Sequence, residues 1–150
     1  MEIERKFLIK ALPDDLDSYP CVHIEQGYLN TNPVVRIRKQ NNAYILTYKG
    51  KGMLAREEYN LPLNEESYVH LKAKCDGNII SKKRYRIPLN SLTIELDVFD
   101  APFAPLIMAE VEFDSLEAAY TFLPPDWFAQ EVTHKPEYHN SYMSMIKFED

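Results

Sequence analysis

Along most of this chain, charged and apolar residues alternate with a period of two. The opening run shows it: Glu2, Glu4 and Lys6 share one parity, Ile3 and Phe7 the other. In an extended strand successive side chains point to opposite faces, so such a run has one charged and one apolar face. The pattern returns at Arg36/Arg38, Arg56/Glu58, Lys82/Arg84/Arg86, Glu95/Asp97 and Glu110/Glu112, with Ile37, Tyr85, Leu96 and Val111 between the charges.

This periodicity and the turn residues around it predict strands over residues 2–9, 22–30, 34–39, 43–49, about 55–62, 78–87, 92–99 and 107–113. Asn41-Asn42 predicts a two-residue hairpin, Asp76-Gly77 a further turn, and Gly50 and Gly52 bracket a flexible loop. Residues 11–20 read as a loop with one helical turn. Asn64 is placed to cap a helix over EESYVHLKAKC, and Asp114-Ser115 a short helix, LEAAYTFL, that Pro124-Pro125 stops. Trp127 and Phe128 read as a hydrophobic anchor, and the tail over 135–148 as helical near its end. About eight short strands at hairpin spacing favour an antiparallel sheet or barrel over βαβ units.

A half-buried antiparallel sheet commonly wets one charged face. Here, however, the charges come in like-sign blocks: acidic at 2/4, 95/97 and 110/112, basic at 36/38 and 82/84/86. A solvated face usually mixes signs, because like charges opposite one another destabilise a sheet. The few amphipathic helices can cover the apolar face only from outside. The expectation is a curved sheet with helices on its apolar outside and charges on its concave inside. Charges turned inward are costly without opposite partners or a ligand.

Those charges suggest their ligand. Lys6, Arg36, Arg38, Lys49, Lys82 and Arg84, with Arg56 and Arg86 as further candidates, can surround a highly charged anion; arginine offers planar bidentate contacts to phosphate oxygens, lysine a point charge. The carboxylates Glu2, Glu4, Glu58, Glu95, Asp97, Glu110 and Glu112 are hard oxygen donors suited to Mg2+ or Mn2+. Together they describe a site for a metal-bound polyphosphate. No Gly-rich loop of the Walker type accompanies them.

Composition narrows the classes. At 150 residues, 45% hydrophobic and 27% charged, the chain reads as one soluble domain able to bury a core. A net charge of −6 argues against general nucleic-acid binding. No apolar run approaches a membrane span and MEIERK is no signal peptide, so a cytoplasmic location is expected. Cys21 and Cys75 read as buried free thiols, and the four histidines show no metal-ligand spacing. Tyr28 reads as packing, Asn140 and Tyr142 as part of a closing helix, and Arg5, Lys39 and Lys83, on the opposite parity, as surface charges.

Nearly the whole chain, from Glu2 to about Asn140, resembles the CYTH superfamily of triphosphate tunnel metalloenzymes in its short bacterial form. The hallmark E-x-E-x-K stands at Glu2-Ile3-Glu4-Arg5-Lys6. It is followed in order by Gln26-Gly27-Tyr28-Leu29, Val35-Arg36-Ile37-Arg38, Thr47-Tyr48-Lys49, Arg56-Glu57-Glu58, Lys82-Lys83-Arg84-Tyr85, Glu95-Leu96-Asp97, Ala109-Glu110-Val111-Glu112 and Glu131-Val132-Thr133. The resemblance implies a mostly β chain, a closed eight-stranded antiparallel barrel forming a tunnel with a few flanking helices. It implies Mg2+- or Mn2+-dependent hydrolysis of inorganic triphosphate to pyrophosphate and orthophosphate. Alternatives within the family are thiamine triphosphate, nucleoside triphosphates or cyclisation of ATP; outside catalysis, the alternative is a polyphosphate- or nucleotide-binding module. By similarity, Lys6, Arg36, Arg38, Lys49, Arg56, Lys82 and Arg84 hold the phosphates. Glu110, Glu112 and Asp97 hold one metal, and Glu2 and Glu4 a second that presents the attacking water. Glu58 and Glu95 support the tunnel. Where relatives often carry a second carboxylate after Glu58, this chain has Asn60. A small-molecule polyphosphate partner, no nucleic acid, no membrane, and a monomer or homodimer complete the expectation.

Overall fold

The computed structural model describes residues 1–148. Its strands are β1 (Glu2–Ile9), β2 (Cys21–Thr31), β3 (Val34–Gln40), β4 (Ala43–Lys49), β5 (Ala55–Arg56), β6 (Glu58–Leu63), β7 (Asp76–Leu89), β8 (Leu92–Phe99), β9 (Ile107–Glu112) and β10 (Phe128–Glu131). They form one large antiparallel sheet in the order β10-β1-β9-β8-β7-β2-β3-β4-β6, with β5 pairing β1. Three short helices join them: α1 (Glu65–Lys72), α2 (Leu116–Thr121) and α3 (Asn140–Met143). No helix among the described residues is long and apolar enough to cross a membrane.

Local chemistry explains most boundaries. Asn41 (φ 51°) and Asn90 (φ 56°) open two-residue turns that set Gln40 opposite Ala43 and Leu89 opposite Leu92. Asparagine accepts this left-handed backbone better than most residues. α1 starts where Asn64 Oδ1 accepts from Ser67 N (2.7 Å) while Ser67 Oγ accepts from Asn64 N (3.1 Å), satisfying two otherwise orphaned donors. Ser115 caps α2 in the same position, accepting from Ala118 N at 3.0 Å.

The apolar parity of β1, β7, β8 and β9 is buried as expected. Ile3, Phe7, Ile87, Ile94, Leu96, Val111 and Phe113 form one core, closed from outside by Ala119 of α2 and Phe128 of β10. A second cluster, Tyr28, Val34, Ile80, Phe99 and Met108, is covered by Val132 and by Met143 of α3. The anchor at Trp127 and Phe128 is real, but it also forms β10 along β1, a strand that its four residues hide in the sequence.

Other expectations change. The run over 55–62 is split at Glu57: β5 pairs β1 and β6 pairs β4. Cys21 and Cys75 are free, but Cys21 is exposed and Cys75 half-buried. Arg5 is no free surface charge. It donates twice to Glu131 (2.7 and 2.9 Å) and to the carbonyls of Ala119 and Phe122 (2.8 and 3.2 Å), and it stacks over Phe7, fastening α2 and β10 to β1. Nor do Asp76 and Gly77 turn. β7 begins at Asp76, opposite Tyr28, and Gly77 (φ 70°) uses its freedom to let the Ser144 carbonyl approach.

A Cβ at Gly77 would stand 2.0 Å from Ser144 O, on backbone that L side chains rarely adopt. Gly77→Ala is expected to destabilise the protein by about 2 kcal/mol and lower its Tm by roughly 6 °C, measured by thermal melting. An unchanged Tm would show that the C-terminal segment does not lie against β7 as described.

Candidate active site

The charged parity lines a single cavity of about 670 Å³. One wall is acidic: Glu2 and Glu4 of β1, Glu110 and Glu112 of β9, and Glu95 of β8. Another is basic: Arg36 and Arg38 of β3, with Lys82, Arg84 and Arg86 of β7. Lys6, Lys49, Arg56 and Glu58 complete it. The cavity therefore gathers every expected site residue except Asp97. Asp97 is completely buried, with both oxygens engaged by Arg84 (2.7 and 2.9 Å) and one also by Lys82 (2.8 Å).

Strand register decides which charges are matched. Lys6 faces Glu110 and Glu2 faces Arg56; Arg84 faces Asp97, Arg86 faces Glu95 and Lys49 faces Glu58. Lys6–Glu110 (3.4 Å) follows this register, while Lys49–Glu2 (2.9 Å) and Arg84–Glu95 (3.1 Å) reach beyond it to other carboxylates of the cavity. Two register pairs are acid on acid, Glu4 with Glu112 and Glu95 with Glu110. Glu4 has no cation within ion-pair distance among the described residues. Burial, reinforced by Glu110, pushes its carboxyl up to about 7. Burial and neighbouring carboxylates likewise raise Glu58 and Glu112. Glu110 differs: burial opposes its ionisation, but Lys6 and Arg84 hold it well below the usual range.

The basic wall mirrors this. Arg36 and Arg38 have no carboxylate partner among the described residues. Arg36 donates to Thr47 Oγ1 (3.2 Å), which itself donates to Asn60 (2.7 Å), and its Nε is buried with no hydrogen-bond partner. Among the described residues Arg38 donates only to the Gln26 amide oxygen, at 3.0 Å, and burial beside Arg36 and Arg84 lowers it to about 9. Burial also lowers the Lys82 ammonium to about 7, outweighing the Asp97 carboxylate beside it.

Sequence parity missed several polar residues here. Gln26 lies between Ile24 and Tyr28 on its strand face and gives no signal by parity; only the resemblance, through Gln26-Gly27-Tyr28-Leu29, touches it. Tyr28 packs as expected but also lines the cavity. Asn140 starts the closing helix as expected, yet it reaches the site: its Oδ1 accepts from Lys82 (3.1 Å) and Gln26 (3.2 Å). His139 lines the cavity too, with Nε2 donating to Thr133 O at 2.8 Å; burial and nearby Lys6 depress it to about 4, so it is neutral.

The CYTH domain family matches residues 1–138. The chain belongs to that family. It is 39% identical over 150 residues to an inorganic triphosphatase of Nitrosomonas europaea, covering 96% of this chain and 97% of that protein. It is 34% identical over 149 residues to an inorganic triphosphatase of Acetivibrio thermocellus, covering 93% and 90%. A crystal structure of an inorganic triphosphatase, 35% identical, aligns with a TM-score of 0.73 over 98% of this chain and 96% of that one. A Hippeastrum chain only 16% identical aligns at 0.63 over 80% and 83%, so the fold extends further than the sequence likeness. The CYTH match stops just short of His139 and Asn140, which line the cavity from the C-terminal segment.

The unmatched carboxylate of this CYTH site makes a stability prediction. Glu4 titrates at about 7 when folded against an ordinary 4.5, so the folded state holds its proton more tightly than the unfolded chain does. This contribution is fully present below pH 4.5 and is lost as pH rises through 7, a change of about 3 kcal/mol. In metal-free buffer, Glu4→Gln is expected to gain stability over the wild type between pH 5 and pH 8, measured by urea unfolding at both. A gap that does not widen with pH would mean that Glu4 is compensated.

Proposed function

We infer that this chain is an inorganic triphosphatase, splitting inorganic triphosphate with water into pyrophosphate and orthophosphate. The observation that carries this is the unequal cavity. Acid faces acid on one wall, while Arg36 and Arg38 lack any carboxylate on the other. These groups are not satisfied by the protein, whereas a polyanion together with divalent cations would satisfy both sets. Curated relatives at 39% and 34% identity over nearly their full length carry this activity. Besides His139, Tyr28 is the one aromatic residue among those lining the cavity. The walls thus offer charge throughout and little surface on which an organic ring could stack, which favours inorganic triphosphate over thiamine triphosphate or a nucleotide.

We read the sheet as closing into an eight-stranded tunnel. What supports this is that Glu57 alone separates β5, paired to β1, from β6, paired to β4. The order therefore returns to β1 through one nearly continuous segment.

In this reading Lys6, Arg36, Arg38, Lys49, Arg56, Lys82 and Arg84 hold the phosphate oxygens and offset charge that moves during transfer. Glu2, Glu4, Glu110 and Glu112 would supply the ligands for Mg2+ or Mn2+; among the described residues no three such groups already surround one point, so an ion would take one or two of them and complete its shell with substrate oxygens and water. Hard oxygen donors set acid against acid, with Glu4 and Glu112 both resisting ionisation, fit such an ion. A bound divalent cation would neutralise these carboxylates and polarise the phosphoryl oxygens. In the same reading Glu2 and Glu4 would hold the ion that presents water for in-line attack at the terminal phosphorus, with pyrophosphate as the leaving group. No residue need form a covalent intermediate. Asp97, with both oxygens engaged, fixes Lys82 and Arg84 from behind, and Glu95 steadies Arg84 beside it, while Glu58 stands opposite Lys49 in the sheet.

A phosphate-release assay with Mg2+ and Mn2+ tests the reading. Inorganic triphosphate is expected to give one orthophosphate per molecule, at least about tenfold faster than thiamine triphosphate or ATP, with no cyclic AMP and with complete loss on chelation. No metal-dependent release from triphosphate would sink the proposal. Arg36→Met and Glu4→Gln separate the two walls: Arg36→Met is expected to raise KM about tenfold or more, and Glu4→Gln to lower kcat about a hundredfold with substrate binding partly kept.

A further inference from the structure

One hydrogen-bonded run in the site joins four separate elements. Arg38 of β3 donates to Gln26 of β2 (3.0 Å), Gln26 donates to Asn140 of α3 (3.2 Å), and Lys82 of β7 donates to the same Asn140 oxygen (3.1 Å). The amide orientations are forced by the ends of the run. Arginine and ammonium can only donate, so both amide oxygens must turn to them, and the remaining Gln26 amide N–H must point to Asn140. Gln26 is fully buried and Asn140 nearly so, which leaves Gln26 no solvent to exchange for these partners.

The choice of amides has an electrostatic consequence. A carboxylate at either position would hold its cation more tightly, but would also cancel the positive charge offered to a substrate. Arg36 repeats the device through Thr47 and Asn60, both neutral. Asn140 also lies past the end of the family match, on the segment that covers the second core cluster.

We propose that Gln26 and Asn140 are positioning residues for the phosphate grip: they aim Arg38 and Lys82 without adding negative charge, and they make the seating of α3 part of that grip. This rests on the triphosphatase reading, so the experiment separates binding from turnover.

Calorimetric titration of inorganic triphosphate in metal-free buffer at pH 6, where Lys82 is mostly protonated, reads the grip directly, and phosphate release with Mg2+ gives KM and kcat. Asn140→Asp keeps shape and acceptors but adds charge; Asn140→Ala removes the acceptors. The expected affinity order is wild type, then Asn140→Ala, then Asn140→Asp, with Asn140→Asp weaker than wild type by at least about tenfold. Tm should run differently, with Asn140→Asp close to wild type and Asn140→Ala lower. KM should rise for Asn140→Asp with a smaller change in kcat. Gln26→Glu, which neutralises Arg38 instead, should weaken triphosphate about as much, and it carries the same test if an Asn140 variant fails to fold. Wild-type affinity in Asn140→Asp and Gln26→Glu, or affinity that simply tracks Tm, would overturn the proposal. A wild type that binds triphosphate without hydrolysing it would sink the triphosphatase reading instead and leave the affinity order to decide this one.

Discussion

The cavity is built around charges that its own register refuses to pair. Across β1 and β9 Glu4 meets Glu112, and across β9 and β8 Glu110 meets Glu95, each of the latter two having a cation, Lys6 or Arg86, only on its other side. Across β2, β3 and β4, Arg36 and Arg38 meet neutral groups only. A one-residue slip anywhere would turn these groups to the outer face, so the hydrophobic parity that builds the outer core also fixes where the unpaired charge stands. Ile3, Leu96 and Val111 must be buried under α2 and β10; Glu2, Glu4, Glu95, Glu110 and Glu112 therefore line the inside. Core and site are two faces of one alternation.

The matched pairs keep this arrangement folded. Arg84 is held by Asp97 and Glu95, Lys49 by Glu2, and Lys6 by Glu110, so each wall has an internal anchor. Breaking such a buried pair strands a charge and is strongly destabilising, whereas the unpaired groups already carry that cost and are open to a ligand. Outside the sheet, Arg5 performs the matching task for the apolar layer. It ties Glu131 of β10 to the C-terminal end of α2, and Thr133 beyond β10 accepts from the Lys6 backbone (2.9 Å) while donating to Glu131 (2.6 Å). Lys6 is thereby fixed from behind by the same segment that closes the core.

Much of this was legible because period-two patterning reports a side chain's face directly. The strand over 92–99 has the expected bounds, as do 2–9 and 43–49, and like-sign blocks along them pointed to a lined cavity. Parity does not report depth, however. Asp97 shares a face with Glu95, yet it lies further along β8 and is sealed behind Lys82 and Arg84. Parity is also silent on neutral residues: Gln26 resembles any strand amide, and its importance arises only when β3 brings Arg38 beside it and α3 brings Asn140. Asp76-Gly77 misled for a related reason. Its glycine is required by a partner from far along the chain, the Ser144 carbonyl, rather than by a local turn. Arg5 was set aside by parity because its partners, on β10 and α2, come from more than a hundred residues away.

These exceptions share a physical cause, and it bears on what distinguishes this chain. The charges facing the cavity come from eight strands whose order is fixed by pairing, and a sequence pattern can capture them. The groups that aim those charges come from elements that meet only in the folded protein. Where such a group is a carboxylate, as at Asp97, it holds its cations but competes with any anion for them. Where it is an amide or a hydroxyl, as at Gln26, Asn140, Thr47 and Asn60, direction is fixed while charge is left available. The two β3 arginines, the cations with no acid partner, are also the two held solely by neutral groups. A site that must release two anionic products gains from this division. Cations already neutralised would bind weakly, and cations left undirected would lose entropy each time they closed on substrate.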